Sequence, residues 1–397
     1  MSLNSTPSSE RVHIGIFGRR NAGKSSLINA LTGQETALVS DVMGTTTDPV
    51  TRTMEILPLG PCVIIDTPGL DDRGSLGEMR VKAALRVLNR VDMALVVIDG
   101  REGMTKEDEE ILSLIKGKEI PYLVVCNKAD LLPVLPEENE DRIWVSALQD
   151  INIYRLREKM AYLVRENDKA KPLVSDLITP LDRVVLVIPI DGSAPKGRII
   201  LPQQMVIRDL LEAGAVPICV RDTELADLLD QMAEVSQRPA LVITDSQAFA
   251  AVKEIVPEEI PLTSFSILMA RYRGFLREAV KGAEAIDRLK DGDRILISEG
   301  CTHHRQCEDI GTVKLPEMIR KRTGADIRFD TSSGGGFPED LSAYALVLHC
   351  GACMLNEREV LYRMKCAGDA GLPFTNYGTA IAYMQGILQR SLEILKL

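Results

Sequence analysis

The stretch "GRRNAGKSS", residues 18–26, decides the fold of the first third of this chain. It follows the apolar run "VHIGIF" (12–17) and opens the helical stretch "SSLINALTG" (25–33). Gly18, Gly23, Lys24 and Ser25 complete the pattern G-x-x-x-x-G-K-S in a strand–turn–helix setting. In such a loop the glycines let backbone N–H groups turn inward around phosphates. The loop residues Asn21, Ala22, Gly23, Lys24, Ser25 and Ser26 are therefore expected to line a nucleotide, with Lys24 on its β and γ oxygens and Ser25 on Mg²⁺.

The runs "PCVIID" (61–66), "MALVVID" (93–99) and "PYLVVCN" (121–127) are short, β-branched and almost unbroken in hydrophobicity, as expected of parallel strands covered on both faces. The amphipathic stretches "AALRVLNRV" and "EDEEILSLIKG" lie between them, giving a doubly wound α/β pattern over residues 11–165. Further motifs sit at the strand ends. "DTPG" places Asp66 near the metal and the Gly69 amide near a γ-phosphate. In "NKAD", Asp130 accepts two hydrogen bonds from guanine, while Asn127 and Lys128 brace the base and loop. "SAL" offers the Ser146 and Ala147 amides to the guanine oxygen. Adenine lacks that donor–acceptor pattern, so the expected nucleotide is GTP.

These motifs resemble the TrmE–Era branch of the translation-factor-related GTPases. Leu70 follows the "DTPG" glycine where Ras-like enzymes carry a water-positioning glutamine. Asn21 and "GTTTD" (44–48) resemble the subgroup that uses K⁺ in place of an arginine finger. That resemblance implies Thr46 as a Mg²⁺ ligand beside Ser25 and Asp66, Asn21 as the K⁺ ligand, and slow, K⁺-stimulated hydrolysis.

The 397 residues suit two or three domains. A polar, proline-bearing segment at 166–182 reads as a linker, and two smaller α/β units are expected at 183–266 and 267–397. The apolar run "RVVLVIPI" (183–190) is expected to offer an uncovered sheet edge for homodimerisation. The stretch "MARYRGFLREAVKGAEAIDRLK" (269–290) reads as one long helix. A net charge of −10 and 4% aromatic residues argue against a nucleic-acid binder. The beginning of the chain carries no export signal and no apolar run is long enough to span a membrane, so the expected location is the cytoplasm.

Three of the four histidines and four of the eight cysteines fall in "CTHHRQCEDIG" (301–311) and "HCGACMLN" (349–356). Each segment follows a strand-like run, "DRILISEG" and "YALVLHC". If those strands are neighbours, Cys301, His303, Cys350 and Cys353 meet in one crevice. Structural zinc on Cys₃His and an iron–sulfur cluster on three cysteines both fit this donor set. Cys62, Cys126, Cys219 and Cys366 read as core residues. "TSSGGG" (331–336) reads either as lining the same crevice or as a plain turn.

The order of the whole chain, a TrmE–Era-like GTPase, a middle unit and a C-x-H…H-C-x-x-C unit, resembles the HydF family of FeFe-hydrogenase maturation GTPases. The resemblance implies a 4Fe–4S cluster on Cys301, Cys350 and Cys353, with His303, His349 or Glu308 as an exchangeable fourth ligand. Cys307 would be a reserve thiol or, in a closed cluster, the fourth ligand itself. Also implied are a homodimer, work with the radical-SAM maturases HydE and HydG, and delivery of a di-iron precursor to apo FeFe-hydrogenase. The competing readings are a tRNA-modification or ribosome-assembly GTPase with a structural zinc domain, and a redox-regulated GTPase whose cluster senses oxidant.

Overall fold

The computed structural model describes residues 8–32, 50–67, 84–167, 171–190, 199–300, 310–334, 336–352 and 355–395. Thr46, Gly69, Leu70, Cys301, His303, Cys307, Glu308 and Cys353 lie outside them. The chain divides into two compact units, residues 1–170 and 171–397.

The first unit is built on six strands: β1 (Val12–Phe17), β2 (Val50–Ile56), β3 (Gly60–Asp66), β4 (Met93–Asp99), β5 (Tyr122–Asn127) and β6 (Arg142–Trp144). Their order in the sheet is β2-β3-β1-β4-β5-β6, with β2 antiparallel to β3 and the other pairs parallel. Helices α1 (Lys24–Thr32), α2 (Lys106–Gly117) and α3 (Ile153–Asn167) accompany it. Covering both faces explains why β4 is buried along its whole length. The expected P-loop α/β fold with a mostly parallel sheet is the fold observed.

The second unit holds two four-stranded, all-parallel sheets. The first comprises β7 (Arg183–Val187), β8 (Val216–Val220), β9 (Leu241–Thr244) and β10 (Leu262–Ser264), in the order β10-β9-β7-β8. Helices α4 (Leu201–Glu212), α5 (Leu225–Glu234) and α6 (Phe249–Ile255) alternate with these strands. Here the sequence reading needs correction. The apolar run at β7 is an inner strand between β9 and β8, which is why it is so apolar. The edge is β8, with Val216 41% exposed and Cys219, expected in the core, exposed as well.

The second sheet comprises β11 (Arg294–Glu299), β12 (Arg328–Ser333), β13 (Leu346–His349) and β14 (Phe374–Asn376), in the order β12-β11-β13-β14. The expected long helix from 269 is broken into α7 (Phe265–Tyr272) and α8 (Leu276–Ala283) at Gly274, whose φ of 77° no continuing helix tolerates. Helices α9 (Leu315–Thr323), α10 (Glu357–Asp369), α11 (Tyr377–Met384) and α12 (Leu388–Glu393) complete the unit. One contiguous hydrophobic core runs from Leu173 to Leu395 through both sheets. Leu173 and Val174, in the segment expected to be linker, are buried in that core, and Asp209 accepts the backbone N–H groups of Val174 and Ser175, both at 2.8 Å.

Candidate nucleotide and cysteine sites

In a parallel sheet, side chains that act together gather at the carboxyl ends of the strands. In the first unit β1 delivers the phosphate loop. A Cβ at Gly18 would lie 2.1 Å from the Val97 carbonyl oxygen, and one at Gly23 2.1 Å from Asn127 Nδ2, so both positions admit only glycine. Lys24 Nζ donates to the Gly18 and Arg19 carbonyls, both at 2.8 Å, which holds the ammonium over the mouth of the loop. Asn21 projects from a left-handed backbone, φ 63°, and is exposed, as are Ser25 and Ser26 in the first turn of α1.

At the end of β3, burial pushes the Asp66 carboxyl up, with Lys24 and Arg52 pulling the other way. Its Oδ1 is buried without a hydrogen-bond partner. A buried carboxylate oxygen with no donor fits a divalent cation, so Asp66 suits the Mg²⁺ role expected of it.

Asn127, at the end of β5, ties the base-side loops together. Its Nδ2 donates to the Ala22 carbonyl and its Oδ1 accepts the Ala147 N–H, both at 3.1 Å. The Ser146 N–H donates to Ile151 O at 3.1 Å. A guanine oxygen would therefore share the Ala147 donor with Asn127, and the Ser146 amide belongs to its own turn. Lys128 has a φ of 64° and puts Nζ 2.7 Å from Asp99 Oδ2. Hydrogen bonds from Arg101 and then Lys128 hold the Asp99 carboxyl far below the usual carboxylate range. Asp99 braces the loop that carries Asp130, a role the sequence reading missed although "VVIDG" ends a strand.

The second unit repeats the logic at β11 and β13, which are parallel neighbours in the register Ser298 to His349. The Cys350 N–H donates to Ser298 O at 2.9 Å, extending the ladder one residue further. Cys350 Sγ accepts two backbone donors, Gly300 N–H at 3.1 Å and Ala352 N–H at 3.4 Å. Ala352 is fully buried in a left-handed conformation, φ 57°, which turns its N–H toward the sulfur. Gly300 is the chain neighbour of Cys301, and Ala352 of Cys353. The two amides that reach the Cys350 sulfur are thus those of the residues next in sequence to the two other expected ligands. Among the described residues no group of three or more metal-binding side chains is gathered, because the other donors fall outside them. The soft donor set and the amides aimed at Sγ fit a metal-bound thiolate.

Two family models match this unit. One described as the hydrogen maturase F dimerization domain covers residues 173–274, and one described as the hydrogen maturase F tetramerization domain covers residues 277–394. The chain belongs to the hydrogen maturase F family.

The two models meet at the Gly274 break, which separates the sheets of the hydrogen maturase F portion. A third model, described as a 50S ribosome-binding GTPase, covers residues 13–128. Curated relatives match the same region. The tRNA modification GTPase MnmE of Nitrosomonas eutropha is 38% identical over 133 residues, 33% of this chain and 29% of that protein. GTPase Der of Maridesulfovibrio salexigens is 38% identical over 125 residues, 30% of this chain and 27% of that protein. The chain spans about a third of the length of the curated relatives it matches. Among solved structures, a variant of Aquifex aeolicus Era bound to GDP.AlF4⁻ aligns at 22% identity and a TM-score of 0.34, covering 53% of this chain and 92% of that one.

One expected ligand of this hydrogen maturase F family member needs correction. His349 is fully buried, and burial together with the Arg363 and Arg273 charges pushes its imidazole down to about 3. Its Nδ1 meets Cys350 O at 2.8 Å and its Nε2 faces Arg363 Nη1 at 3.5 Å. A neutral ring donating from Nδ1 and accepting at Nε2 has no lone pair left for iron. His349 is therefore a scaffold for the Cys350 peptide, with Phe374 packed on its ring. The sequence reading also missed Arg363 and Glu359, a buried ion pair beneath the loop. Gly334 of "TSSGGG" is drawn into the same network, since its carbonyl accepts from Arg363 Nη2. Among the described residues no helix is long and apolar enough to cross a membrane.

Proposed function

We propose that this chain is a GTP-hydrolysing iron–sulfur scaffold of hydrogenase maturation. A 4Fe–4S cluster is held by Cys301, Cys350 and Cys353. The chain receives a di-iron precursor with the help of HydE and HydG and hands it to apo FeFe-hydrogenase in the cytoplasm. The observation that carries this reading is the Cys350 sulfur, accepting the amides of Gly300 and Ala352, the chain neighbours of the two other cysteines. When bound, the cluster supplies an iron whose fourth position is exchangeable, because three thiolates serve four irons. Membership of the hydrogen maturase F family supports iron–sulfur over structural zinc. The tRNA-modification and ribosome-assembly reading draws on the first unit alone.

The chain's own residues divide the nucleotide work. Lys24 exchanges the Gly18 and Arg19 carbonyls for phosphate oxygens. Asp130 recognises guanine, while Asn127 fixes the loops around it. Mg²⁺ held by Ser25, Thr46 and Asp66 neutralises phosphate charge, and K⁺ at Asn21 supplies the charge that an arginine finger supplies elsewhere. The two matched association domains support a self-associating protein whose dimer forms through residues 173–274.

Anaerobic reconstitution followed by metal analysis tests the reading. About four irons with sulfide per chain are expected, falling to background in Cys301→Ala, Cys350→Ala and Cys353→Ala while GTP hydrolysis persists. Stoichiometric zinc in place of iron would sink it.

A further inference from the structure

Two stretches of the second unit repeat each other. "PLTSFSILMARYRGFL" (261–276) and "PFTNYGTAIAYMQGIL" (373–388) share a Pro, Thr, Ala, Gly and Leu at matched positions, each residue standing 112 before its counterpart. The structure keeps the match. Helices α7 and α11 correspond from end to end. Ser264 and Asn376 cap them alike, accepting the N–H groups of Ile267 at 3.2 Å and Thr379 at 3.1 Å. Gly274 and Gly386 follow them with φ of 77° and 69°. In each sheet the second strand of the chain forms one rim, followed by the first, the third and the fourth, all parallel. Helices α4 and α9, which follow the first strands, both open on Leu-Pro.

The contacts between the two halves are reciprocal. Thr263 of β10 donates from Oγ1 to Ser391 O at 3.0 Å, and Thr375 of β14 donates from Oγ1 to Ala279 O at 2.8 Å. The threonines are counterparts, 112 apart, and so are the two acceptors. All four residues are fully buried. Helix α8, which follows β10 in the chain, thus lies on β14, and α12, which follows β14, lies on β10. Gly378 meets its own counterpart, since a Cβ on it would lie 1.9 Å from Ser266 Oγ. Paired contacts of this kind, with a residue touching its own mate between them, define a two-fold axis. A capped helix after a strand is common in any α/β chain, but mirrored hydrogen bonds spanning 128 and 96 residues are not.

We infer that residues 182–283 and 293–395 are two copies of one α/β unit fused in tandem, and that they have exchanged their closing helices as the chains of a domain-swapped dimer do. The boundary between the two family models, at 274–277, assigns α8 to the second domain. Its counterpart α12 identifies it as the closing helix of the first. Each copy's fourth strand is covered by the other copy's helix, so the two sheets fold as one cooperative body. The exchanged arm reaches the cysteine strand. Phe275, just ahead of α8, meets Phe374 edge-on at 6.0 Å between ring centres, and Phe374 packs on the His349 ring beside Cys350. A partner bound at the β8 rim of one copy therefore stabilises the sheet that ends in Cys350 as much as its own.

Amide hydrogen exchange of the full-length protein tests this and needs neither iron nor nucleotide. Thr263→Val and Thr375→Val keep the branched shape and remove only the hydroxyl that crosses between the copies. Each should speed exchange of the slowest amides of β7 and of β13 alike, by roughly ten-fold. The double variant should reach roughly a hundred-fold in both strands. Strand β4, in the first unit, keeps its own rate and serves as the control. Acceleration confined to the sheet that carries the substitution, or absent from both, overturns the inference and leaves two independent domains. A second measurement needs no substitution. In sub-denaturing urea the slowest β7 and β13 amides of the unaltered protein should share one slope and one intercept, because they exchange through one opening. Two separate lines overturn the inference as well.

Discussion

Arg363 should be the most sensitive position in the second unit, and the cost of losing it follows from its contacts. It is fully buried, yet its guanidinium donates to Glu359 Oε1 from Nε at 3.0 Å and Nη2 at 2.9 Å, and to Ser298 Oγ at 3.0 Å. It also reaches the Gly334 carbonyl and lies 5.3 Å from the centre of the Phe337 ring. One side chain thus joins the ends of β11, β12 and β13 beneath Cys350. Arg363→Met keeps the stem but leaves the 6%-exposed Glu359 side chain without its guanidinium. Breaking a buried pair in this way costs about 3–5 kcal/mol, and the stranded Gly334 and Ser298 acceptors add about 1 kcal/mol. Glu359→Met strands the cation instead, at about 3 kcal/mol, since the other acceptors remain. The double variant buries neither charge, so its loss should fall short of the sum by about 3 kcal/mol.

Hydrogen exchange of the full-length protein reads this locally. A loss of about 4 kcal/mol speeds exchange of the Leu346–His349 amides by roughly a thousand-fold. Trp144, the chain's one tryptophan, sits in the first unit, so its fluorescence transition should stay in place and serves as the control. An additive double variant, or single variants exchanging within about three-fold of the unaltered protein, would refute the account of Arg363 as half of a buried pair.

Three further outcomes are expected. Asp130→Asn should lower GTP affinity by roughly a hundred-fold and raise that for XTP, measured by fluorescent-nucleotide competition; retained GTP preference removes the base-recognition assignment. Asn21→Gly, which keeps the φ of 63°, should abolish any K⁺ over Na⁺ stimulation of phosphate release while sparing nucleotide affinity; equal rates in both salts for the unaltered protein end the K⁺ reading. Val216→Lys with Cys219→Lys on the β8 edge should shift sedimentation from dimer to monomer, whereas the same pair of changes leaving the dimer intact places the interface elsewhere.

The nucleotide site was legible because each of its motifs is local. A glycine pattern, an acidic turn and an Asn-Lys-x-Asp run each sit at the end of one strand, and a parallel sheet brings all those ends to one edge. The meeting of the two strands that precede the cysteine segments was legible for the same reason, since β11 and β13 lie side by side. Strand order is another matter. An unbroken apolar run such as β7 looks alike at the centre of a sheet and at its rim, and β8 carries Pro217 and Cys219, which read as weaker strand signals. Yet Val216 N–H bonds Asp182 O and Val220 O accepts Ile188 N–H, so Pro217 faces outward, where its missing N–H costs no ladder bond. The proline marks the rim. Two-fold pairing of that rim has to be antiparallel, because a parallel ladder is not symmetric about its own axis. The register centred on Cys219 then keeps both of its outward bonds.

The buried charges were the least legible feature, and the reason is physical. Glu359 and Arg363 stand four apart on α10, a spacing that on most helices marks a solvated surface pair of small energetic weight. Nothing in "EREVLYRMK" distinguishes that case from a pair under a loop, because burial is decided by Ser298, Gly334 and His349, which arrive from three other elements. His349 was misread for the complementary reason. A histidine beside a cysteine invites a metal, but the nitrogen that could bind one is faced by Arg363 from the next helix. A side chain's donors and acceptors are fixed by its type, but what remains for a ligand is fixed by its neighbours. His349 leaves nothing, because both of its ring nitrogens are engaged, by Cys350 O and by Arg363 Nη1.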